Sequence, residues 1–449
     1  MNLDYQKIAV FGFSPRTGME VVKYLLKFDL EIIVADSKTE EELKKLTAEV
    51  ESEKVEFDLG TEGKKILESE LIILSPGVPY DLEVLKQARK KGIETISEIE
   101  FAFRQSEAEI IAVTGTNGKT TTTELLGEML SDLDGKKVKT AGNIGIPFIS
   151  IIDQLQPGEK VILELSSFQL EAVKDFKAKI ALYLNYSPDH LDRHLTENNY
   201  KMAKKKIFSN QSEADYAILN IDDPYLIQLK EELKASVLGV SSKSENADLI
   251  IDQQQAYYKK DEIRLLNFEK IDLPGEHNRK NASFAALAAY LTGQKLEKIQ
   301  QAAENYRLQS HRMERVENKK SYLIIDDSKA TNPDAALKAL ASIEQEIILV
   351  AGGQDRNADF SNLVPIIEKK VKTLILIGET ADKIASLFKD SKLEIKKVKT
   401  MEAAAQIGAE RLTENTALLL SPACPSWDMY SSYKERGEIF QENILKKIY

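Results

Sequence analysis

Short apolar runs and longer amphipathic segments alternate along the chain. The runs at 7–11, 71–74 and 180–184 (KIAVF, LIIL and IALYL) are mainly apolar, which is typical of strands buried on both faces of a parallel sheet. The segments between such runs have the periodicity of crossover helices. The alternation predicts an α/β fold with mostly parallel sheets.

A strand, a loop and a helix recur at three points, near residue 7, near residue 110 and after Arg312. A chain of 449 residues also exceeds what one hydrophobic core usually supports. We therefore expect three domains, at 1–107, 108–309 and 310–449. The first should be Rossmann-like, because its strand, loop and helix have that order.

Composition narrows the possible partners. The 61 Lys and Arg residues against 72 Asp and Glu residues give a net charge of -11, which opposes binding to nucleic acid or anionic membranes. Cys424 is the only cysteine, which excludes an intramolecular disulfide and suits a reducing compartment. The amino terminus has no basic flank before a long apolar run, and no stretch reaches the ~18 apolar residues that a membrane span needs. We therefore expect neither a targeting signal nor a membrane anchor. We expect a cytoplasmic protein.

The strongest local pattern is 114–121 (TGTNGKTT), between an apolar run and a helical segment. Its glycines allow backbone N–H groups to face phosphates, Lys119 offers a charge to the β and γ oxygens, and the hydroxyl of Thr120 is a Mg²⁺ ligand type. Only two residues separate the glycines, where the common loop has four. The pattern predicts a phosphate loop; a plain strand-to-helix turn is the alternative.

Two side chains near strand ends are candidate metal ligands. Glu164 lies near the end of the apolar run 161–165, and His190 follows the run 180–184. A carboxylate in an apolar strand is costly unless it is paired or bound to a cation; a surface position on an edge strand is the alternative for Glu164. For His190 the alternative is a hydrogen-bonded structural group.

Helical periodicity gives Lys204 a direction. Tyr200, Ala203, Lys204 and Ile207 follow the spacing of one helix face, so Lys204 is expected to point inward, toward a partner. Extension of its side chain to the surface is the alternative. Three lysines on other faces are interpreted as a solvated run of charge: Lys201, Lys205 and Lys206.

The loop 12–18 (GFSPRTG) lies between a strand and a helix, as in dinucleotide-binding folds, but Ser14 and Thr17 replace two of the three fingerprint glycines. The start of a helix can still hold a phosphate through its N–H groups. The turn 75–77 (SPG) follows the run 71–74 and is expected at the same sheet edge. Two ordinary tight turns are the alternative.

Three polar clusters follow strands in the last third of the chain, at 326–332, 352–356 and 421–428 (DDSKATN, GGQDR and SPACPSWD). The carboxyl ends of strands form the ligand edge of open α/β sheets. Three clusters at one edge favour a binding site over isolated turns.

Together these stretches resemble the Mur ligase family over essentially the whole chain. The motifs occur in the family's order: TGTNGKTT, NYSPDHLDRH, GEHNRKN, HRME, DDSKATNP, AGGQDR and SPACPSWD...YKERG. The stretch 163–171 (LELSSFQLE) looks like that of the members that add D-glutamate. The resemblance implies a central P-loop-type ATPase domain between Rossmann-like N-terminal and C-terminal domains. It also implies an ATP-dependent amide ligase of peptidoglycan precursor synthesis that acts through an acyl phosphate. Its substrates would be UDP-N-acetylmuramoyl-L-alanine and D-glutamate, its cofactors ATP and two Mg²⁺ ions, and its expected state a monomer.

The resemblance also implies roles for individual residues. Contacts to the UDP-sugar substrate are implied for Ser14, Arg16, Thr17, Asp36, Ser37, Ser75, Gly77 and Asn143. Contacts to ATP are implied for Gly115, Thr116, Asn117, Gly118, Lys119, Thr120, Thr121, Asn278, Asn281, Arg312 and Asp327. Magnesium is implied at Thr120, Glu164, His190 and Lys204, the last as a carbamate. The implied catalytic groups are Lys119, Lys204, His190 and Glu164. Contacts to the amino acid are implied for Lys329, Thr331, Arg356, Ser426 and Tyr433.

Other functions remain open on these residues. A sister ligase that adds another amino acid, or a folylpolyglutamate-type ligase, would share the phosphate loop and the domain order. The stretch LELSSFQLE argues against both, and the string D-N-P-R of the diaminopimelate- or lysine-adding member is absent, the nearest string being 331–334 (TNPD). A regulator that binds ATP without hydrolysing it is a third alternative.

Overall fold

The structure is a computed structural model that describes residues 3–136, 138–308 and 310–448. The expected domain limits at 1, 309 and 449 lie outside these residues. The fold is mixed α/β, with three mostly parallel sheets that correspond to three domains. Two compact units form: the first contains Met1–Tyr186, Thr196–Ile271 and Asn281–Asn305, and the second contains Ser187–Leu195, Asp272–Lys280 and Tyr306–Tyr449.

The first sheet belongs to the first unit and has the strand order β3-β2-β1-β4-β5, with every neighbouring pair parallel. Its strands are β1 Lys7–Phe11, β2 Glu31–Asp36, β3 Val55–Leu59, β4 Leu71–Leu74 and β5 Glu94–Ser97. Its helices are α1 Thr17–Leu25, α2 Glu40–Thr47, α3 Glu83–Lys90 and α4 Glu98–Arg104. The predictions of strands at 7–11 and 71–74 are confirmed to the residue.

The second sheet also belongs to the first unit and has the order β14-β13-β12-β11-β10-β9-β6-β8-β7. It is parallel from β7 to β12, and β13 pairs antiparallel with β12 and β14. Its strands are β6 Glu109–Thr114, β7 Lys139–Gly142, β8 Lys160–Glu164, β9 Ile180–Tyr183, β10 Tyr216–Asn220, β11 Ser236–Ser241, β12 Leu249–Ile251, β13 Gln255–Tyr258 and β14 Ile263–Asn267. The helices of this stretch are α5 Lys119–Met129, α6 Ser167–Leu170, α7 Leu191–His194, α8 Glu197–Lys205, α9 Leu226–Leu229, α10 Glu276–Leu291 and α11 Leu296–Asn305.

The third sheet belongs to the second unit and has the order β15-β16-β20-β17-β18-β19, parallel except for the pair β15 and β16. Its strands are β15 Glu314–Arg315, β16 Leu323–Asp326, β17 Glu346–Ala351, β18 Val371–Leu376, β19 Glu394–Lys397 and β20 Thr416–Leu420. Its helices are α12 Pro333–Ser342, α13 Val364–Lys370, α14 Ala381–Ser386, α15 Met401–Arg411 and α16 Tyr433–Ile448. Within the described ranges, none of the helices combines the length and apolar character that crossing a lipid bilayer requires.

Within the first unit, a buried carboxylate on α4 contacts the segment that follows β7 of the second sheet. Ser97 caps the helix by accepting a hydrogen bond from the backbone N–H of Glu100. The carboxylate of Glu98 is almost fully buried and accepts a bond from the backbone N–H of Ile149, 3.1 Å away. Burial raises the pKa of Glu98 to about 7, because desolvation disfavours the charged form.

We expect stability to fall as the pH rises from about 4.5 to about 7, and this decline to be reduced in Glu98→Gln. A carboxyl whose pKa is raised by folding binds its proton more tightly in the folded state. Its contribution is therefore complete below the unfolded pKa and lost as the pH passes the folded pKa. The loss is on the order of 3 kcal/mol. Urea unfolding at pH 5 and pH 8 measures this loss of unfolding free energy.

Glu83→Gln, whose side chain is exposed, is the control. The same decline in both variants would contradict the prediction.

Candidate active site

The segment between β6 and α5 forms the predicted loop. Gly118 caps α5 with a φ of +84°, a conformation that favours glycine. A Cβ added at Gly118 would also lie 2.4 Å from Oδ1 of Asn281, so Asn281 lies directly against the loop. The amino end of this eleven-residue helix carries the partial positive charge that attracts phosphate.

Asn185 holds the loop in shape and was missed by the sequence reasoning. Its side-chain amide donates to the carbonyl of Asn117 at 2.9 Å, its Oδ1 accepts from the backbone N–H of Asn117 at 2.9 Å, and its carbonyl accepts from Thr116 N at 3.0 Å. Lys119 Nζ donates to the carbonyls of Gly115 and Thr116, at 2.8 and 2.9 Å. The sequence feature that could have identified Asn185 is its position just after β9. That strand pairs with β6, which leads into the loop.

Glu164 ends β8, which pairs with β6 on one side and β7 on the other. Its side chain is 1% exposed, so the alternative of a surface carboxylate on an edge strand is wrong. Oε1 accepts a hydrogen bond from Asn143 Nδ2 at 2.7 Å. Oε2 is buried and has no hydrogen-bond partner among the described residues. An oxygen of this kind fits a cation, because burial of an uncompensated carboxylate is costly.

The inward face predicted for α8 is confirmed. Tyr200, Ala203, Lys204 and Ile207 are all at most 4% exposed, and Lys204 Nζ donates to the carbonyl of Gly115 at 2.7 Å. Lys204 therefore lies at the phosphate loop, and the alternative in which it extends to the surface is wrong.

The interpretation of the neighbouring lysines as solvated is wrong for Lys206. Its ammonium donates to the carbonyl of Glu171, and burial lowers its pKa. Lys201 lies 4.6 Å from the ring centroid of Tyr186, so this lysine is also packed against protein.

A cavity of about 670 Å³ opens beside the ends of β1 and β4. Five of the residues predicted to contact the UDP-sugar line it: Ser14, Asp36, Ser37, Ser75 and Gly77. Its walls are preorganised, because Ser75 Oγ donates to Gly12 O at 2.5 Å and Asp36 Oδ2 accepts from Phe13 N at 2.6 Å. Ser14 Oγ accepts from the backbone N–H of Thr17 at 3.1 Å. Arg16 and Thr17 are not among the lining residues.

The remaining predicted site residues belong to the second unit: His190, Asn278, Arg312, Asp327, Lys329, Thr331, Arg356, Ser426 and Tyr433. His190 has a φ of +54°, and its backbone N–H donates to Asp189 Oδ1 at 2.8 Å. Asn278 is fully buried and donates from Nδ2 to Pro274 O at 2.7 Å.

In the third sheet the three predicted polar clusters follow the neighbouring strands β16, β20 and β17 at their carboxyl ends. Asp327 is buried there, burial raises its pKa to about 7, and Ser421 Oγ donates to it at 2.9 Å. Lys329 Nζ lies 5.4 Å from the ring centroid of Tyr433. The guanidinium of Arg356 lies 4.7 Å from the ring centroid of Trp427.

Arg436 is a second residue that the sequence reasoning missed. Its side chain is 1% exposed. It donates to Oγ and O of Ser328, at 2.9 and 2.7 Å, and to Cys424 O at 3.0 Å. It therefore joins the clusters 326–332 and 421–428. Its position in the motif YKERG was the only available signal.

Models of three family domains match the chain in order. These are the N-terminal domain of MurD-like Mur ligases at 6–97, the Mur ligase middle domain at 113–289, and the Mur ligase glutamate ligase domain at 311–424. The UDP-N-acetylmuramoylalanine--D-glutamate ligase of Thermoanaerobacter pseudethanolicus is 40% identical over 459 residues, with 99% of each chain covered.

Solved structures show the same fold. The UDP-N-acetylmuramate-alanine ligase MurC of Thermotoga maritima gives a TM-score of 0.60 at 19% identity and covers 98% of this chain and 99% of its own. The MurF ligase of Thermotoga maritima, solved in complex with ADP, gives 0.61 at 15% identity, covering 93% and 95%. The three family models and the 40% identity over 99% of both chains show that the chain belongs to the Mur ligase family.

Proposed function

We propose that the chain is an ATP-dependent amide ligase of peptidoglycan precursor synthesis that joins D-glutamate to UDP-N-acetylmuramoyl-L-alanine. The observation that carries the proposal is similarity to the UDP-N-acetylmuramoylalanine--D-glutamate ligase of Thermoanaerobacter pseudethanolicus, at 40% identity over 99% of both chains. The phosphate loop between β6 and α5 supplies the nucleotide chemistry that such a ligase requires. The MurF structure with ADP supports the use of ATP by this fold.

The reaction has two steps. An oxygen of the alanyl carboxylate attacks the γ-phosphorus of ATP, the bond to the bridging oxygen breaks, and ADP leaves with the electron pair. The amine of D-glutamate then attacks the carbonyl carbon of the acyl phosphate, phosphate leaves, and the nitrogen loses a proton. The protein's contribution is mainly positioning and charge stabilisation, because phosphoryl transfer needs little covalent help.

The first unit would bind ATP through the loop residues 115–121 and Asn281. Lys119 would move from the carbonyls that it now contacts to the β and γ oxygens of ATP and neutralise charge there. Asn278, Arg312 and Asp327 in the second unit would also contact the nucleotide.

The donor set also fits Mg²⁺, since the buried Oε2 of Glu164 has no partner among the described residues and hard oxygen ligands suit this ion. Thr120, Glu164, His190 and Lys204 as a carbamate would hold two ions. Bound Mg²⁺ would neutralise negative charge on the phosphates. The burial of Lys204 beside Gly115 supports a role for it at the phosphates.

The sugar nucleotide would occupy the cavity beside β1 and β4, with Asn143 near its reactive end. The amino acid would contact Lys329, Thr331, Arg356, Ser426 and Tyr433. A guanidinium such as that of Arg356 can grip a carboxylate with two hydrogen bonds. We further propose domain limits near 107 and 309, and a cytoplasmic monomer.

Phosphate release by the purified protein tests the substrates. With ATP and Mg²⁺ supplied, we expect phosphate release only when UDP-N-acetylmuramoyl-L-alanine and D-glutamate are both present. Each of the two steps consumes one of these substrates. L-glutamate, L-lysine and meso-diaminopimelate are the controls and should give less than about a hundredth of the rate, since a site built around polar contacts rejects mismatched groups strongly. Success with L-lysine and failure with D-glutamate would overturn the assignment. ATP binding without phosphate release under all conditions would indicate the regulator instead.

A further inference from the structure

The side chain of Arg16 reaches from the first sheet to the second. Arg16 immediately precedes α1, in the same loop as the cavity residues Ser14 and Pro15. Its guanidinium contacts backbone oxygens: Nη2 donates to Gly142 O at 2.7 Å and Nη1 donates to Asn143 O at 2.8 Å. Two charge-assisted bonds from one planar group fix the position and orientation of the segment that accepts them.

That segment lies against the proposed metal ligand. Gly142 ends β7 and pairs with Glu164 in the parallel register of β7 and β8. The backbone N–H of Asn143 donates to Glu164 O at 2.7 Å, and Asn143 Nδ2 donates to Glu164 Oε1 at 2.7 Å. A Cβ added at Gly142 would lie 2.3 Å from Glu164 O. The two strand ends are therefore in direct contact, and a shift of Gly142 or Asn143 would move the carboxylate.

The bond from Asn143 leaves Oε1 of Glu164 occupied and Oε2 available. A group that holds a metal-binding carboxylate by hydrogen bonding sets which oxygen faces the ion, and loss of such a group typically weakens metal binding or activity by about 10–100-fold. Arg16 donates a hydrogen bond to the backbone carbonyl of Asn143, the residue whose side chain holds Oε1 of Glu164.

We propose that Arg16 is a positioning residue for Glu164, acting through Gly142 and Asn143, and not a direct contact to the sugar nucleotide. This inference rests on the proposed function, since it assumes that Glu164 holds Mg²⁺ during the reaction. It places a determinant of the metal site on the loop that also borders the substrate cavity.

Steady-state kinetics of Arg16→Met test the proposal. We expect kcat to fall about tenfold and the Mg²⁺ concentration for half-maximal rate to rise about tenfold, while KM for the sugar nucleotide changes less than about threefold. Arg16→Lys keeps a charged donor and should recover part of the loss. Lys23→Met removes an exposed cation from the same helix and is the matched control. A raised KM for the sugar nucleotide with unchanged Mg²⁺ dependence would overturn the proposal.

A double-mutant cycle tests the route. If Arg16 acts through Asn143, the effects of Arg16→Met and Asn143→Ala on the Mg²⁺ requirement should be strongly non-additive. Additive effects would show independent roles and overturn the proposal.

Binding of Mn²⁺ in the presence of a non-hydrolysable ATP analogue, followed by electron paramagnetic resonance, gives a readout that needs no turnover. We expect Arg16→Met to bind Mn²⁺ about tenfold more weakly than the unmodified chain. Equal affinities would overturn the inference. Failure of the proposed ligase reaction would appear separately, as an unmodified chain that binds Mn²⁺ and nucleotide but forms no amide with D-glutamate.

Discussion

Replacing Lys119 with alanine is expected to lower turnover at least about a thousandfold, which corresponds to ~4 kcal/mol of transition-state stabilisation. The ammonium group of Lys119 lies within the phosphate loop, 2.8 Å from Gly115 O. No water molecule can supply its fixed positive charge as the γ-phosphate is transferred. Phosphate release under saturating ATP, sugar nucleotide and D-glutamate measures the effect.

The control for Lys119→Ala is Lys136→Ala, which removes a surface cation paired with Glu159 in the same domain and should leave turnover within about twofold. Exposed ion pairs of this kind contribute little to stability. Thermal unfolding of both variants checks that the fold is intact. Turnover of Lys119→Ala within tenfold of the unmodified chain would contradict the role proposed for the loop.

Much of the architecture follows from local pattern. Apart from Lys7, the residues of β1 and β4 are all buried, so a short apolar run was sufficient to predict both strands to the residue. Other strands were displaced by one residue: the run 180–184 ends as a strand at Tyr183, and the run 161–165 forms a strand at Lys160–Glu164. A strand ends where its ladder partners end, and those partners lie far away in the sequence.

The same distinction applies to the site. The direction of Lys204 was predictable, because helical spacing relates its position to apolar neighbours on one face. The contacts of Asn185, Arg436 and Arg16 were not. Each of these side chains bonds to backbone atoms of distant segments, and a backbone carbonyl leaves no trace in the residue type. Arg16 was expected at the sugar nucleotide on family resemblance, whereas its guanidinium donates to the carbonyls of Gly142 and Asn143.

Buried polar groups therefore carry information that the sequence pattern lacks. Lys206 lies in a run of lysines that the sequence pattern indicates to be solvated, but its ammonium donates to the carbonyl of Glu171. The sequence around Glu164 was compatible both with a surface carboxylate and with a buried metal ligand. Its 1% exposure in the structure excludes the surface position. Its oxygen Oε2, without a partner in the described ranges, is the strongest indication that this part of the protein is completed by a cation.

Glu164→Gln is expected to uncouple stability from activity. Glutamine has the same shape and retains an oxygen that can accept the bond from Asn143 Nδ2, now made to Glu164 Oε1. The substitution removes a buried negative charge, so without metal the melting temperature should rise by ~2–4 °C. Turnover should fall by about a hundredfold or more, because the amide is a poor ligand for Mg²⁺.

Differential scanning calorimetry with and without Mg²⁺ and a non-hydrolysable ATP analogue separates the two effects. The unmodified chain should gain thermal stability from the metal and nucleotide together, because ligands that bind only the folded state stabilise it. Glu164→Gln should lose most of this gain. Glu109→Gln, at the exposed start of β6, should behave like the unmodified chain. A lower melting temperature without metal, or an undiminished response to Mg²⁺, would show that Glu164 serves the fold rather than the ion.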